Sequence, residues 1–395
     1  MKLGYAQAII TPSLARPVYL AGFGTNRQAD AVHDDLFVRA LSIQCGAATV
    51  VLCALDLIGF FGRDVQKVIR LVHRRAPDAR VIIACTHTHH GPDTMGFWGP
   101  DRNSSGVDAT YLDDLITTTA DTILDSLSAP QAVTFKATSV HVSGMVKNAR
   151  DPGIVDDELT LAQFLDAEQH IVATLFNFPC HPEVLWEHNP AITSDYVGYL
   201  RAEVEDLTSA PCIFFSGALG GMLTPDVQDH SFAEAESMGK GLARQGLTAL
   251  TAVSSRQAAD VSLQKREIQP KLTNILYKMA FRRGLVPDVR VHGRITTEVN
   301  LIKINGLWFA TVPGEMLPKL GLALKKQLCD AGARVAGVIG LANDELGYIL
   351  PVEDFKYPVN PFKPGNHYEE TNSIGKDIGP LVMEGLGSLL SQTDS

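Results

Sequence analysis

The chain has 395 residues, enough for one large domain or two moderate ones with a full hydrophobic core. Its net charge of −10 argues against a nucleic-acid partner, because phosphate binding needs a basic protein face. The sequence contains no run of about 18 apolar residues, so we expect no transmembrane segment.

The cysteines and the N-terminus indicate a cellular compartment. The six cysteines form no C-x-x-C pair, and five lie in or beside apolar runs, which is typical of buried thiols in a reducing environment. No apolar signal region follows Lys2. We therefore expect a cytoplasmic protein.

The hydrophobic patterns alternate between strands and helices along the chain. Strands are predicted over 4–10, 37–44, 49–57, 81–89, 131–146 (a pair), 159–165, 171–178, 210–216, 261–268, 295–304, 307–312 and 334–341. Helices are predicted over 63–74, 107–127, 195–207, 232–253, 272–284, 317–331 and 374–390, and a Pro-rich loop over 351–364. We predict an α/β fold of mixed β-sheets layered with helices. Since no repeat or linker interrupts it, residues 1–395 should form a single α/β domain.

The strand that begins at Val81 ends in an unusual cluster, Thr86-His87-Thr88-His89-His90. Side chains alternate along a strand, so His87 and His89 should face the same way. Two imidazoles there suit a metal or acid–base site, although a simple hydrogen-bonded pair would give the same pattern. The preceding β-α-β unit places them at the carboxyl edge of a sheet, where ligand sites of α/β folds lie.

Other polar ligand types also follow apolar strands. His181 comes after the strand over 171–178, and Glu315 after the strand over 307–312. Together, His87, His181 and Glu315 would make a two-histidine, one-carboxylate set of the kind that holds catalytic zinc with an open position. Taken singly, His181 could be a buried core histidine and Glu315 a residue that stabilises a helix dipole.

The motifs resemble those of the neutral (non-lysosomal) ceramidase family. Thr86-His87-Thr88-His89 followed by Gly91-Pro92 resembles its T-H-T-H-S-G-P motif. In chain order, the further matches are Gly22-Phe23-Gly24 and Val32-His33 (G-Y-G…I-H), Asn148-Ala149-Arg150 (its Asn/Arg segment), 178–181 (the strand with its second zinc histidine), Pro313-Gly314-Glu315 (P-G-E), 342–348 (N-x-Y-x-x-Y, without its first Tyr) and Tyr368-Glu369 (Y-E-A-S/T). The resemblance spans residues 1 to about 385 and is that of a short, single-domain bacterial-type member.

The resemblance implies a zinc-dependent hydrolase that cleaves an N-acyl amide bond with a zinc-activated water. It places four residues at the family's zinc ligands: His87, His181, Glu315 and Tyr348. For Tyr348, a packed aromatic is the alternative. Four further residues are expected to be catalytic: His89 in proton transfer, Arg150 and Tyr368 at the substrate carbonyl, and Thr224 as a hydrogen-bond donor. Substrate binding is assigned to Gly24, His90, Phe97 and Trp98.

Three departures from the family pattern leave the substrate open. Thr224 stands where the family has Ser, and its hydroxyl could instead serve a turn. His90 stands at the Ser of the T-H-T-H-S motif. The family's secretion signal and C-terminal β-sandwich domain are not expected here. Besides a small-molecule or lipid-like amide substrate, the sequence is therefore compatible with a metal-dependent esterase or lactonase, or with a non-catalytic ligand-binding relative. It leaves oligomeric state open, a homo-oligomer included.

Overall fold

A computed structural model describes residues 1–257, 260–287, 289–356 and 367–392 of the chain. Pro358, Pro361 and Pro364 of the predicted Pro-rich loop lie outside these residues. The helices are α1 (Gly62–His73), α2 (Ala109–Ser128), α3 (Tyr196–Thr208), α4 (Phe232–Thr251), α5 (Ile275–Arg282), α6 (Pro318–Asp330), α7 (Tyr368–Thr371) and α8 (Ile378–Ser391). Within the described ranges, no helix is both long and apolar enough to span a bilayer.

The strands are mostly short and are distributed along the whole chain. They are β1 (Lys2–Ile9), β2 (Ala31–Val32), β3 (Phe37–Cys45), β4 (Ala48–Leu55), β5 (Arg80–Cys85), β6 (Gln131–Ala132), β7 (Thr134–His141), β8 (Val146–Asn148), β9 (Glu158–Leu165), β10 (Ile171–Phe178), β11 (Ala191–Ile192), β12 (Cys212–Ser216), β13 (Leu223–Pro225), β14 (Val261–Ile268), β15 (Thr297–Ile304), β16 (Leu307–Thr311), β17 (Glu315–Met316), β18 (Val335–Ile339) and β19 (Tyr348–Ile349).

Most of these strands belong to three larger sheets. Their orders are β5-β4-β3-β1-β6, β12-β10-β9-β7 and β14-β15-β16-β18. Each sheet is mixed, because it contains one parallel pair: β4 with β5, β10 with β12, and β16 with β18. The α/β class of mixed sheets layered with helices is therefore confirmed.

The three sheets face one another across a shared apolar cluster. Ile82 of the first sheet, Phe164 of the second and Phe309 of the third all belong to it, and each is buried. Burial of one such side chain contributes roughly 1.5–3 kcal/mol. On their other faces the sheets are covered by helices: α1 and α2 on the first, α3 and α4 on the second, α6 and α8 on the third.

One predicted pairing is wrong. The segment 131–146 does not pair with itself, because β6 pairs with β1 while β7 pairs with β9. Alternation with a period of two identifies a strand and its buried face, but it does not specify the partner strand. The predicted hairpin β9–β10 and the parallel β4-α1-β5 unit are confirmed.

Candidate metal centre and cavity

The carboxyl ends of β5, β10 and β16 bring the histidine cluster, His181 and Glu315 together from three different sheets. Backbone hydrogen bonds link the three sheets near these ends. Asn343 N, which follows β18 of the third sheet, donates to Ile83 O of β5 at 2.7 Å, and Gly340 N, also after β18, donates at 3.0 Å to Ser216 O of β12, the neighbour of β10. The Ser216 hydroxyl donates to Thr86 O at 2.6 Å. The positions of the ligand-bearing segments are thus set by the packing of the sheets.

Three imidazoles and one carboxylate meet at this point. The rings of His87, His89 and His181 lie 5.0–5.6 Å apart, and one nitrogen from each falls within 4.8 Å of the other two. Glu315 Oε2 lies 3.1 Å from His181 Nε2 and 3.5 Å from His87 Nε2. All four side chains are buried, and their donor types are those that zinc selects.

The outer ring nitrogens of two histidines are held by the backbone. His87 Nδ1 lies 2.5 Å from Ile58 O, and His181 Nδ1 lies 2.9 Å from Leu223 O. A carbonyl oxygen can only accept, so both Nδ1 atoms carry the proton. A metal would therefore be bound through the Nε2 atoms, which face Glu315, as is usual for ligating histidines. Without a metal, His181 Nε2 also carries a proton, which it donates to Glu315.

Strand alternation does not explain why His87 and His89 converge. Strand β5 ends at Cys85, and His87 has a φ of 70°, a left-handed conformation that is costly for a residue with a side chain. The His87 N–H donates to Leu57 O at 2.9 Å, which helps to hold this conformation. The expected shared orientation is correct, but it arises from a strained turn.

The cluster has an uneven charge distribution. Burial alone would raise the pKa of Glu315, but His87 and His181 hold it well below its ordinary value. Burial alone would lower the pKa of His181, but Glu183 and Glu315 raise it to about 9. Burial, with His87 next, lowers the pKa of His89 well below the ordinary value. In the metal-free protein at neutral pH, His89 is neutral and Glu315 is ionised.

Glu183 is a member of this site that the sequence prediction missed. It is buried, and its Oε2 lies 3.2 Å from His89 Nδ1. Burial raises the pKa of Glu183, while His181 and the Thr224 hydroxyl lower it in part. Thr224, in β13, therefore lies beside Glu183. The short spacing His181-Pro182-Glu183 was the available sequence signal.

Tyr348 lies next to Glu315, because the two residues are partners in the parallel pair β17–β19. Its hydroxyl is 3.5 Å from Met222 Sδ, and burial followed by Glu315 raises its pKa well above the ordinary value. The Tyr348 ring packs edge-on against Tyr368, with centroids 5.8 Å apart. Both tyrosines line the cavity above the cluster.

Arg150 is held apart from the histidine cluster. Its guanidinium pairs with Glu369 and with Glu370, the latter through two contacts of 2.9 Å. These carboxylates raise its pKa further, although burial opposes them. Arg150 lines a neighbouring cavity of about 530 Å³, and Tyr368 lies between that cavity and the one above the cluster.

The cavity above the cluster has a volume of about 510 Å³. His87, His89 and Glu315 lie in its lining, and Phe97 and Trp98 contribute to its walls as expected. Helix α5 also lines the cavity, and its apolar side chains Leu276 and Met279 are each 38% exposed. An apolar mouth above a polar floor can hold an amphiphilic molecule with its polar end toward the histidines.

Two residues assigned to substrate binding are not part of this lining. Gly24 faces open space, whereas Gly22, at φ 85°, packs so closely on His89 that an added Cβ would lie 2.7 Å from the ring. His90 is fully buried, and its Nε2 lies 3.0 Å from Trp186 O. Gly22 and Phe23 occupy the place in the wall that was expected for Gly24.

A second acidic residue that the prediction missed is Glu345. It stands at the position of the first Tyr in the N-x-Y-x-x-Y segment, which begins here at Asn343. Glu345 is 3% exposed and lines the cavity above the cluster. Burial and the nearby Glu315 raise its pKa well above the ordinary value.

Comparisons with known proteins support the resemblance in the motifs. No family model matches the chain. The neutral ceramidase of Pseudomonas aeruginosa is 24% identical over 252 residues, which are 57% of this chain and 37% of that protein. The chain thus matches little more than a third of the length of this relative.

Solved structures agree with the sequence match. The crystal structure of the neutral ceramidase from Pseudomonas aeruginosa superposes with a TM-score of 0.81 at 17% identity, covering 99% of this chain and 74% of that one. A structure of a ceramidase complexed with C2 gives a TM-score of 0.80 at 17% identity, with coverage of 99% and 75%. The fold is shared over nearly the whole chain, and the family resemblance is confirmed.

Proposed function

We propose that this chain, which is similar to a neutral ceramidase, is a zinc-dependent hydrolase that cleaves the N-acyl amide bond of a ceramide-like substrate. The observation that carries the proposal is the buried set His87, His89, His181 and Glu315 at the floor of the cavity of about 510 Å³. No structural role requires three imidazoles and a carboxylate to meet beneath an open cavity.

The donor set fits zinc. His87 and His181 would supply Nε2 atoms, Glu315 a carboxylate oxygen, and Tyr348 a neighbouring hydroxyl. The carbonyls at Ile58 and Leu223 fix both imidazoles in the ligating tautomer. When bound, zinc lowers the pKa of water to near neutrality and polarises a carbonyl as a Lewis acid.

The remaining groups of the site would orient the substrate and move protons. His89, kept neutral by burial, accepts a proton and delivers it to the leaving amine, while Glu183, 3.2 Å away, orients its ring. The hydroxyl of Tyr368 donates a hydrogen bond toward the carbonyl oxygen as negative charge develops there. The apolar wall formed by Phe97, Trp98 and Met279 holds the acyl chain and excludes water.

Metal analysis combined with activity tests the proposal. We expect the purified protein to contain about one zinc per chain, because several converging imidazole and carboxylate ligands bind zinc tightly. We also expect it to hydrolyse an N-acyl amide such as a short-chain ceramide. His87→Ala and His181→Ala should lose both zinc and activity. His170→Ala is a matched control, because His170 belongs to an exposed group with Asp166 and Glu168 that could hold an adventitious ion.

Two results would contradict the proposal. One is hydrolysis by protein that contains no metal, and the other is unchanged hydrolysis by His87→Ala and His181→Ala. Amide and ester substrates with the same acyl chain separate an amidase from an esterase or lactonase that uses the same site.

A further inference from the structure

Glu345 lies in the wall between two cavities. One is the cavity of about 510 Å³ above the histidine cluster, and the other is a neighbouring cavity of about 370 Å³. Glu345 Oε1 accepts a hydrogen bond from Gly347 N at 2.9 Å. Its Oε2 is buried and has no hydrogen-bond partner among the residues that the structure describes.

No cation in the described part of the chain neutralises this carboxyl group. Of the basic residues near it on the second cavity, Arg63 pairs with Asp64 at 3.1 Å and Lys265 with Glu298 at 3.1 Å. The nearest charges on its own side are acidic, since Glu315 and Asp344 both act on it. A buried carboxyl oxygen without a hydrogen-bond partner is disfavoured, so a donor from a ligand would supply the bond that the protein does not.

The surroundings of Glu345 restrict what that donor can be. The cavity that it lines has apolar walls that include Met95 and Phe97, and the charged side chains Asp101, Arg102 and Arg283 also line it. Glu345 also replaces the Tyr of the family pattern, so a carboxyl group faces the cavity in place of a neutral phenol. A ligand that fits has an apolar chain and one positively charged end.

We propose that Glu345 binds the ammonium group of the ligand, so that this site selects N-acyl amides whose amine part carries a second, charged amino group. This substrate class rests on the proposed amide hydrolysis. The binding step itself needs no turnover, which allows the two proposals to be tested separately.

The test is calorimetric binding of octylamine and 1-octanol to the full-length chain at neutral pH. The two probes share one alkyl chain and differ in charge. We expect octylamine to bind about tenfold more tightly than octanol, as expected for a charge-assisted hydrogen bond in a buried site. Glu345→Gln should abolish this preference and leave octanol binding unchanged.

Two further variants guard against simpler explanations. Asp101→Asn removes a different carboxylate from the lining of the same cavity. This variant should keep the octylamine preference, which would show that general electrostatic attraction to the cavity is not the source of the preference. Glu345→Tyr restores the residue type of the family pattern. It should bind octanol but not prefer octylamine, so that two different substitutions attribute the preference to the carboxyl group. Unchanged octanol binding by each variant excludes misfolding as the cause.

The proposal is overturned if the wild type binds octylamine and octanol equally. It is also overturned if Glu345→Gln keeps the octylamine preference, because that result would indicate that a metal coordinates the amine. If the protein hydrolyses amides but shows no octylamine preference, the role of Glu345 is refuted and the proposed function stands. If it shows the preference but does not hydrolyse amides, the proposed function is refuted and the binding role of Glu345 stands.

Discussion

The floor and the mouth of the cavity are built in opposite ways. On the floor, His87, His181 and Glu315 are each less than 10% exposed and are held by backbone carbonyls and by one another. At the mouth, Met279 is 38% exposed and Tyr368 46% exposed, and both lie on short helices. The rigid floor suits chemistry that tolerates little displacement, whereas the mouth can vary with the substrate.

The largest effect is expected from Glu315, the carboxylate of the floor. Glu315→Gln should remove zinc and lower kcat/KM by about 10³-fold or more, because metal stabilisation of the transition state is worth several kcal/mol. Metal analysis and amide hydrolysis measure both losses. Glu168→Gln, an exposed carboxylate of the same type, should change neither. Full activity in Glu315→Gln would place the chemistry elsewhere.

The proposed function gives His89 a different role from its neighbours: it transfers protons, whereas His87, His181 and Glu315 hold the metal. His89→Gln should lower kcat by about 10²- to 10⁴-fold, the usual contribution of a general acid–base group. It should retain zinc, because His87, His181 and Glu315 remain. If zinc is lost together with activity, His89 is itself a ligand and the floor is a three-histidine centre.

The pH dependence of zinc affinity tests how the floor is charged. With the pKa of His181 raised to about 9 in the metal-free protein, zinc must displace a proton from this ring at lower pH. The apparent affinity should therefore rise about tenfold per pH unit up to about pH 9 and level off above it. Competition titrations between pH 7 and 10 measure this slope. A level affinity from pH 7 upward would show that His181 is already deprotonated.

The mouth should affect substrate selection more than chemistry. Trp98→Ala removes apolar wall area, so KM for a long-chain amide should rise about 10- to 100-fold, as expected for a loss of roughly 1.5–3 kcal/mol of apolar burial. The KM for an acetyl amide and kcat for both substrates should change little. Equal effects on the two chain lengths would mean that Trp98 does not contact the acyl chain.

The smallest effect is expected from His90, which is buried behind the floor. His90→Gln should leave kcat/KM within about twofold, since the side chain does not reach the cavity. Its cost should be in stability, about 0.5–1.5 kcal/mol for the weakened bond to Trp186 O, measured by urea unfolding. A strong change in substrate preference would instead support the substrate-binding role that the sequence predicts.

Much of the fold was predictable from local patterns. Apolar runs and turn residues located β9, β10 and β14 nearly to the residue and predicted the parallel β4-α1-β5 unit, because burial on one face imposes a period that the sequence must follow. The strand predicted over 81–89 ends at Cys85 instead, since the chain leaves the extended conformation at His87, with a φ of 70°. The pairing of 131–146 was not predictable, because partner choice depends on which other strands are adjacent in space.

For the site, the sequence by itself determined the donor types: imidazoles and a carboxylate directly after apolar strands, in an order shared with the neutral ceramidases. Tertiary structure alone decided which of them meet. It brought Glu183 beside His89, paired Arg150 with Glu370, and left Glu345 unpaired in the cavity wall. The reason is that hydrogen bonding and desolvation act between groups that are close in space, and residues from three sheets become neighbours only when those sheets pack.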